Sequence, residues 1–398
     1  MRSPFKPTAG RQPPVLVGRD RDIENFRMAI EEGPGAPERL LFVTGARGIG
    51  KTVMLNALSH VVEEQGWITV NETASSGFVS RIVQALQGER PKQISYTLPS
   101  ASLEVPFAGA QATVGFGQVQ VNTGLEPLDI RHAIGGRLDR LDENKQGVLI
   151  TLDELGVESP MEEVRAFATA IQHLIREERN IAVVFAGIPS MVDDVVNDKV
   201  LTFLRRAERF HLRNVRNEDV WSAFEHTISE NGKRADYGVL NALTLATHGY
   251  PFMIQLVGHQ AWRISESAGH DDEITLDDAQ QGIEKARDRI GELVNGPAVD
   301  GLPPMARAYL MLMAVDDGPS NTTEIAHRMH KTPQYASVYR ARLIHEDYIK
   351  PAGRGYVEFT MPFMREYLRQ YAAFNQLEQN LEDMALSIIE SAEEPDRR

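Results

Sequence analysis

Residues 39–52 read Arg-Leu-Leu-Phe-Val-Thr-Gly-Ala-Arg-Gly-Ile-Gly-Lys-Thr, an apolar run that ends in a glycine-rich octet. The octet, 45–52, has the spacing Gly-x4-Gly-Lys-Thr, which is typical of a phosphate-binding loop. Its glycines let the backbone curl until amide N–H groups face phosphate oxygens, while the lysine reaches the β- and γ-phosphates and the threonine hydroxyl takes a place on Mg²⁺. The apolar run before the octet predicts a strand, and residues 53–62, which are apolar at helical spacing, predict a helix. A phosphate-binding loop lies between such a strand and such a helix. The stretch therefore predicts a nucleoside triphosphate site with Mg²⁺. The predicted contacts are Gly45, Ala46, Arg47, Gly48, Ile49, Gly50, Lys51, Thr52 and Val53.

The composition excludes several classes of protein. With 398 residues the chain is long enough for two or three domains. Its formal net charge of −14 means that any contact with nucleic acid needs a local basic face. Because the chain has no cysteine, disulfides and thiolate catalysis are excluded, which fits a reducing compartment. Without a segment apolar enough to span a membrane, we expect a cytoplasmic protein with no membrane partner.

The spacing of apolar residues predicts alternating strands and helices up to about residue 213. The runs 148–152 and 181–186 are continuously apolar, which is typical of strands buried on both faces of a parallel sheet. Alternating residues around Gly109 interrupt this rhythm, and we predict a β-hairpin insert at 92–125. Beyond residue 213 the pattern is mainly helical, so the chain is expected to be α/β followed by helical units.

A second candidate element lies at the end of the strand at 148–152, where Asp153 and Glu154 follow directly. Two carboxylates at the end of a buried strand are costly unless they face a charged site. Hydrolysis of a nucleoside triphosphate needs a ligand for Mg²⁺ and a base that orients the attacking water. Asp153 suits the first role and Glu154 the second. The simpler interpretation is that the pair begins a helix, but the position after a phosphate loop favours chemistry.

Over residues 15–365 the chain resembles AAA+ ATPases of the origin-recognition-like and STAND groups. The motifs that carry this resemblance are the segment 17–22, the octet 45–52, the strand that ends in Asp153 and Glu154, and Gly249-Tyr250-Pro251. The resemblance implies ATP as the nucleotide and a three-layer αβα core with a parallel sheet in the order 5-1-4-3-2. It also implies a helical lid, with the nucleotide held between core and lid. Four further nucleotide contacts are implied in this way: Val17, Gly18, Arg19 and Pro251.

The residues after the lid glycine bear on the rate of hydrolysis. Origin-type relatives carry an arginine soon after the lid glycine, whereas this chain continues Tyr250-Pro251-Phe252-Met253, which favours a slow switch over a processive motor.

Arg205 and Arg206 precede the last strand, where relatives keep an arginine that acts on a neighbouring subunit, and such an arginine stabilises charge in the transition state. An arginine that acts on a neighbouring subunit implies that copies of the chain associate with one another. A solvated helix end is an equally good interpretation.

The third unit resembles a winged helix. Residues 322–329 and 333–343 read as the two helices of a helix-turn-helix, and 353–360 read as the wing. Side chains that would meet DNA are Gln334, Ser337, Tyr339, Arg340 and Arg342. Residues 301–360 nevertheless hold seven Lys and Arg against six Asp and Glu, so the unit is nearly neutral, whereas strong DNA binders usually present a clear basic face. A module that contacts a protein partner is the alternative.

These observations predict five divisions of the chain. They are a disordered tail (1–14), a P-loop core (15–213), a helical lid (214–297), a winged-helix domain (298–365) and an acidic helical tail (366–398). The function that fits them is an ATP-binding, slowly hydrolysing switch whose nucleotide state passes through lid and winged helix to a partner. One alternative is an initiator or regulator that binds DNA in an ATP-dependent manner. Another is a nucleotide-binding scaffold that does not hydrolyse, which the Asp153–Glu154 pair disfavours.

Overall fold

The computed structural model describes residues 2–8, 13, 16–87, 129–141, 146–156, 159–375 and 381–393. The β-hairpin that the sequence predicts at 92–125 lies outside these residues. Within them, no helix is long and apolar enough to cross a membrane.

The described residues up to His211 form a parallel sheet with helices on both faces. The order of the strands is β2-β3-β4-β1-β5, and every pairing is parallel, which confirms the predicted order 5-1-4-3-2. The strands are β1 (Leu40–Thr44), β2 (Ile68–Thr73), β3 (Val148–Leu155), β4 (Ile181–Gly187) and β5 (Glu208–His211). The helices are α1 (Asp20–Glu32), α2 (Lys51–Glu63), α3 (Phe78–Gln87), α4 (Ile130–Leu138), α5 (Met161–Arg176) and α6 (Pro189–Val196).

Alternate residues of strand β1, which lies between β4 and β5, face two different apolar layers. Leu41 and Val43 lie in the cluster that contains the buried face of α2. Phe42 points the other way, stacks on Phe185 of β4 at 5.0 Å between ring centroids, and belongs to the cluster that contains α3, α4 and α5. Because both faces of β1 are covered, its run of apolar residues is continuous, and the sheet is the middle of three layers.

A helical segment follows the sheet. It consists of α7 (Asn217–Glu230), α8 (Tyr237–Ala246), α9 (Pro251–Ser267), α10 (Leu276–Ile290), a π-helical turn at Gly291–Asn295 and α11 (Gly296–Asp300). The helices α8 and α10 begin at side-chain caps, since Asp236 accepts from the amide of Val239 and Thr275 forms a capping box with Asp278. This segment, α7–α11, covers the region in which the sequence predicts a lid.

The last unit has the element order of a winged helix. Its elements are α12 (Pro304–Ala314), β6 (Ser320–Asn321), α13 (Thr322–Arg328), α14 (Pro333–His345), β7 (Ile349–Pro351) and β8 (Tyr356–Phe359), with an antiparallel sheet in the order β6-β8-β7. Two further helices, α15 (Met364–Asn375) and α16 (Leu381–Glu393), complete the chain. Ala385 and Ile389 of α16 are buried in the same apolar cluster as α12, so the acidic tail helix packs on its own chain.

The N-terminal segment departs from its prediction as a disordered tail, at least over residues 2–8. Phe5 is 3% exposed, and its ring centroid lies 5.7 Å from that of Phe224 in α7. The amide of Lys6 donates to Gln255 Oε1 in α9 at 3.0 Å. The sequence suggested a solvated tail because its prolines and basic residues outnumber apolar ones, yet one aromatic side chain is enough to dock it on the helical segment.

Candidate nucleotide site

The phosphate loop leaves β1 at Thr44 and enters α2 at Lys51. The Lys51 ammonium folds back and donates to the carbonyl oxygens of Gly45 and Ala46 at 2.8 and 2.9 Å. Burial lowers the pKa of Lys51 to about 8, and the neighbouring Asp153 opposes that shift. The lysine is therefore a desolvated cation whose present partners are neutral carbonyls, so phosphate oxygens would be stronger acceptors for it.

The predicted Mg²⁺ ligands lie side by side. Thr52 Oγ1 donates to Asp153 Oδ2 at 2.6 Å. A hydroxyl and a carboxylate are the oxygen ligands that Mg²⁺ uses when phosphates and water complete its shell. Among the described residues no group of three or more His, Asp or Glu side chains forms a metal cage. The donor set therefore fits a cation that is held jointly by protein and substrate.

A β-bulge places the two carboxylates. Leu152 pairs with Phe185, but the next pair is Leu155 with Gly187, so Asp153 and Glu154 together oppose a single residue of β4. Glu154 has a φ of 56°, a left-handed conformation that a residue with a side chain rarely adopts, and its side chain is exposed. Its amide donates to Asp153 Oδ1 at 2.8 Å. The strained turn thus directs Asp153 toward Thr52 and leaves Glu154 open to water.

The segment implied to contact the nucleotide, 17–19, lies at the junction of the sheet with the helical segment. Arg19 is buried, and its guanidinium donates to the carbonyl of Arg213 at 2.6 Å. Close by, the amide of Val215 donates to the carbonyl of Gly249 at 2.7 Å. Gly249 has a φ of +67°, and a Cβ there would lie 2.1 Å from the Val215 carbonyl oxygen, so only glycine fits. The structure thus brings the first and last implied nucleotide motifs to one junction.

A tyrosine of the helical segment touches the phosphate loop. Tyr250 is 1% exposed, and its hydroxyl donates to the carbonyl of Arg47 at 2.5 Å. Gly48 has a φ of +70°, and a Cβ on it would lie 2.1 Å from the Tyr250 hydroxyl oxygen. Burial raises the pKa of Tyr250 above its usual range, so the phenol remains a donor. Pro251, which the sequence implied as a nucleotide contact, begins α9 directly after this residue.

The turn between α14 and β7 also reaches this loop, which no sequence motif indicated. The Arg47 guanidinium lies 5.8 Å from the centroid of the Tyr348 ring. The adjacent Asp347 has a φ of 62° and lies close enough to Lys51 for their charges to interact. Burial raises the pKa of Asp347 to about 6, although Lys51 opposes the shift. The winged-helix unit therefore brings an acidic side chain to the phosphate-binding lysine.

Arg205 and Arg206 do not join this site. They end the short 3-10 helix at Thr202–Arg206, both are exposed, and Arg205 Nε donates to the carbonyl of Val196 at 3.2 Å. The strand β5 that follows pairs Glu208 with Leu41 at one end and His211 with Thr44 at the other. The two arginines lie at the end of β5 away from the phosphate loop, so the structure does not bring them to the site of their own chain.

Comparison with known proteins agrees with this geometry. Residues 15–184 match the profile of the AAA ATPase domain family, and residues 293–368 match a domain of unknown function (DUF8462). No curated protein is a significant match to the chain. The fold is similar to that of the ORC2 protein of Aeropyrum pernix in its ADPNP–ADP complexes, with 13% identity, a TM-score of 0.60 and coverage of 97% of each chain. It is also similar to the Walker-type ATPase paby2304 of Pyrococcus abyssi, with 14% identity, a TM-score of 0.62 and coverage of 89% of this chain and 96% of that one.

Fold and site together define a P-loop nucleotide-binding fold. Residues 15–184, which hold the phosphate loop and the Asp153–Glu154 pair, match the AAA ATPase domain family. The identity to the two solved structures is too low to carry more than the fold.

Proposed function

We propose that this protein is a Mg²⁺-dependent ATPase that works as a slow switch, with the winged-helix unit reporting the nucleotide state. One observation carries the proposal. The hydroxyl of Tyr250 in the helical segment donates to the phosphate loop, while in the winged-helix unit Tyr348 lies against Arg47 and Asp347 interacts electrostatically with Lys51. Whatever changes the charge at Lys51 therefore acts on all three parts of the chain.

In this proposal the site residues divide the work of hydrolysis. Lys51 and the loop amides hold the phosphates, and Thr52 and Asp153 hold Mg²⁺, which neutralises phosphate charge when bound. Glu154 orients the attacking water, because it is exposed next to Asp153 and is an acceptor. Residues 17–19 and Pro251 contact the base side of the nucleotide. No cation follows Pro251 within the first turn of α9, which supports slow hydrolysis.

In this proposal, the nucleotide state passes to the winged-helix unit because the γ-phosphate of ATP and Asp347 compete for Lys51. A bound γ-phosphate would bring negative charge to the same ammonium that now attracts Asp347. Like charges in a poorly solvated site repel strongly, so the turn that carries Asp347 should move away when ATP binds and return after phosphate leaves. The winged-helix unit would then present a different surface to its partner in the two states.

The Glu154→Gln variant tests the hydrolytic part. It should bind ATP with nearly unchanged affinity and turn over about a hundredfold or more slowly, because the amide cannot accept the proton from water. A suitable control is Glu178→Gln, since Glu178 is also exposed and also has a positive φ, of 54°, but lies after α5. Equal turnover by the wild type and Glu154→Gln would remove Glu154 from the mechanism.

A second candidate function is ATP-dependent binding of duplex DNA. It is favoured by the element order of the winged-helix unit and by Arg340 and Arg354, which have no carboxylate partner among the described residues. Arg342, in contrast, donates to Glu346 at 2.8 Å and is partly neutralised. Binding of a mixed-sequence duplex that weakens with salt would support this function. An absence of binding at low salt, with and without ATP, would exclude it.

A further inference from the structure

A small pocket opens between the two helices of the helix-turn-helix, far along the chain from the phosphate loop. Its cavity volume is about 290 Å³, and its floor is Tyr309 of α12. The walls come from the start of α13 and the first half of α14. The polar side chains that line it are Thr322, Thr323, Gln334, Ser337 and Arg340. Such a volume suits one small polar group better than an extended organic ligand, for which pockets of roughly 300–1,000 Å³ are usual.

The floor of this pocket carries a hydrogen-bonding group that the protein leaves unused. Tyr309 is 0% exposed, and its hydroxyl has no hydrogen-bond partner among the described residues. A buried hydroxyl without a partner costs free energy, so its retention calls for a ligand or a water that completes it. Burial raises the pKa of Tyr309 to about 12, although the nearby Arg340 opposes the shift, and the hydroxyl therefore remains a donor at neutral pH.

The charge inside the pocket has one sign. Arg340 is the only charged residue of the lining, and it forms no ion pair with a carboxylate among the described residues. The acidic side chains of α13 and of the C-cap of α14 have other partners. Glu324 lies 3.6 Å from Arg328, and Glu346 lies 2.8 Å from Arg342. The guanidinium is thus the uncompensated charge of a lining that also holds hydroxyl and amide groups, Pro333 and Ala336, and in which the Ser337 hydroxyl already donates to the Gln334 carbonyl at 2.7 Å.

We infer that this pocket, formed by Tyr309, Thr322, Thr323, Gln334, Ser337 and Arg340, is a binding site for a phosphate oxyanion. A tetrahedral oxyanion offers acceptors in several directions, which matches donors that converge from three helices. A guanidinium pairs with phosphate through two parallel hydrogen bonds. The phosphate can belong to the backbone of a duplex or to a free anion. Binding of a backbone phosphate rests on the second candidate function, the binding of duplex DNA. Binding of a free phosphate anion does not depend on that function.

The experiment has two arms and uses the full chain. In the first arm, inorganic phosphate is titrated into Lys51→Ala protein, in which the phosphate loop lacks its cation, and the unfolding temperature is followed. Phosphate should raise this temperature in a concentration-dependent way. The rise should disappear when Arg340→Ala or Tyr309→Phe is added. Because the Tyr309 hydroxyl has no protein partner, Tyr309→Phe should not lower stability without phosphate, so loss of the response would not reflect misfolding.

In the second arm, the affinity for a duplex of about two helical turns is measured against salt concentration. Arg340→Ala should weaken binding about tenfold and reduce the salt slope by about one. The matched control is Arg263→Ala, because Arg263 is exposed on α9, and its removal changes the net charge equally. An effect in the phosphate arm alone assigns the site to a free anion, and an effect in the duplex arm alone assigns it to a backbone phosphate. No effect of Arg340→Ala in either arm, or an equal effect of Arg263→Ala, would overturn the inference.

Discussion

At the scale of the residue, a β-bulge and the left-handed backbone of Glu154 bring the Asp153 carboxylate to the hydroxyl of Thr52. The octet and the Asp153–Glu154 pair identify the groups that hold phosphate and metal, because only those residue types at that spacing do so. The left-handed backbone of Glu154 and the bulge that produces it left no trace in the sequence, since the pairing of β3 with β4 decides them. Tyr250 belongs to the motif Gly249-Tyr250-Pro251, yet its contact with Arg47 depends on how the helical segment packs.

Tyr250→Phe tests that contact. The substitution keeps the ring but removes the donor to the Arg47 carbonyl, so the loop loses a restraint that costs about 1 kcal/mol to replace. We expect the Kd for ATP to rise about fivefold to tenfold, whereas the rate of hydrolysis at saturating ATP should change little. Isothermal titration with ATP, combined with turnover measurements, gives both quantities.

The matched control is Tyr237→Phe, because Tyr237 is 74% exposed and lies in the neighbouring helix α8. An unchanged Kd in Tyr250→Phe would mean that the hydrogen bond does not position the loop for nucleotide.

At the scale of the element, continuous apolar strands and helical periodicity predict a parallel sheet and most helices, whereas the strand order is what the family resemblance implies. These patterns report burial on one face or both, and burial is local to each element. The N-terminal segment and the turn between α14 and β7 could not be assigned in this way. Phe5 and Asp347 acquire their roles only from elements far away in the sequence, namely α7 and the phosphate loop.

The turn that carries Asp347 predicts a pH dependence of stability. The pKa of Asp347 is raised to about 6, above its value of roughly 3.9 in unfolded chains. The folded state therefore holds the proton more tightly, and the free energy of unfolding falls as pH rises from about 4 to about 6. Asp347→Asn removes the carboxyl group and with it the fall in the free energy of unfolding between pH 4 and pH 6. Allowing for solvent screening, the variant should be more stable than the wild type at pH 7 by on the order of 1 kcal/mol, with no difference near pH 4.

Denaturant unfolding across this pH range measures the effect. Asparagine tolerates the left-handed backbone at this position, so the variant should fold. Asp271→Asn serves as the control, because Asp271 is exposed, and it should not change the pH profile relative to the wild type. A wild-type advantage at pH 7 over Asp347→Asn would show that the attraction to Lys51 outweighs burial.

At the scale of the whole molecule, the sequence predicted the order of the units but not their contacts. Motifs report single elements, whereas the meeting of Lys51, Tyr250 and Asp347 depends on how three units pack. The association of copies of the chain likewise depends on contacts that the motifs do not report. Arg205 and Arg206 are exposed and lie away from their own phosphate loop, so we predict that any direct action on hydrolysis is exerted on a second copy.

Mixing two inactive variants tests this assembly. Glu154→Gln keeps both arginines but lacks the base, and Arg205→Ala/Arg206→Ala keeps an intact site but lacks the arginines. If the arginines act on a neighbouring subunit, each variant alone should be slow and the mixture should regain part of the wild-type turnover. Turnover of the wild type per molecule should also rise with protein concentration. Full activity of the double arginine variant on its own would contradict the trans role.

The relay from the phosphate loop to the winged-helix unit is tested most directly by a distance. Because the chain has no cysteine, spin labels can be placed at Arg176→Cys at the end of α5 and at Arg354→Cys between β7 and β8 without removing native thiols. Double electron–electron resonance then reports their separation in Glu154→Gln protein, which should hold ATP. The distance distribution with ATP should shift from those with ADP and without nucleotide, since the γ-phosphate displaces Asp347 from Lys51. Superimposable distributions in all three conditions, with ATP binding verified, would contradict the switch.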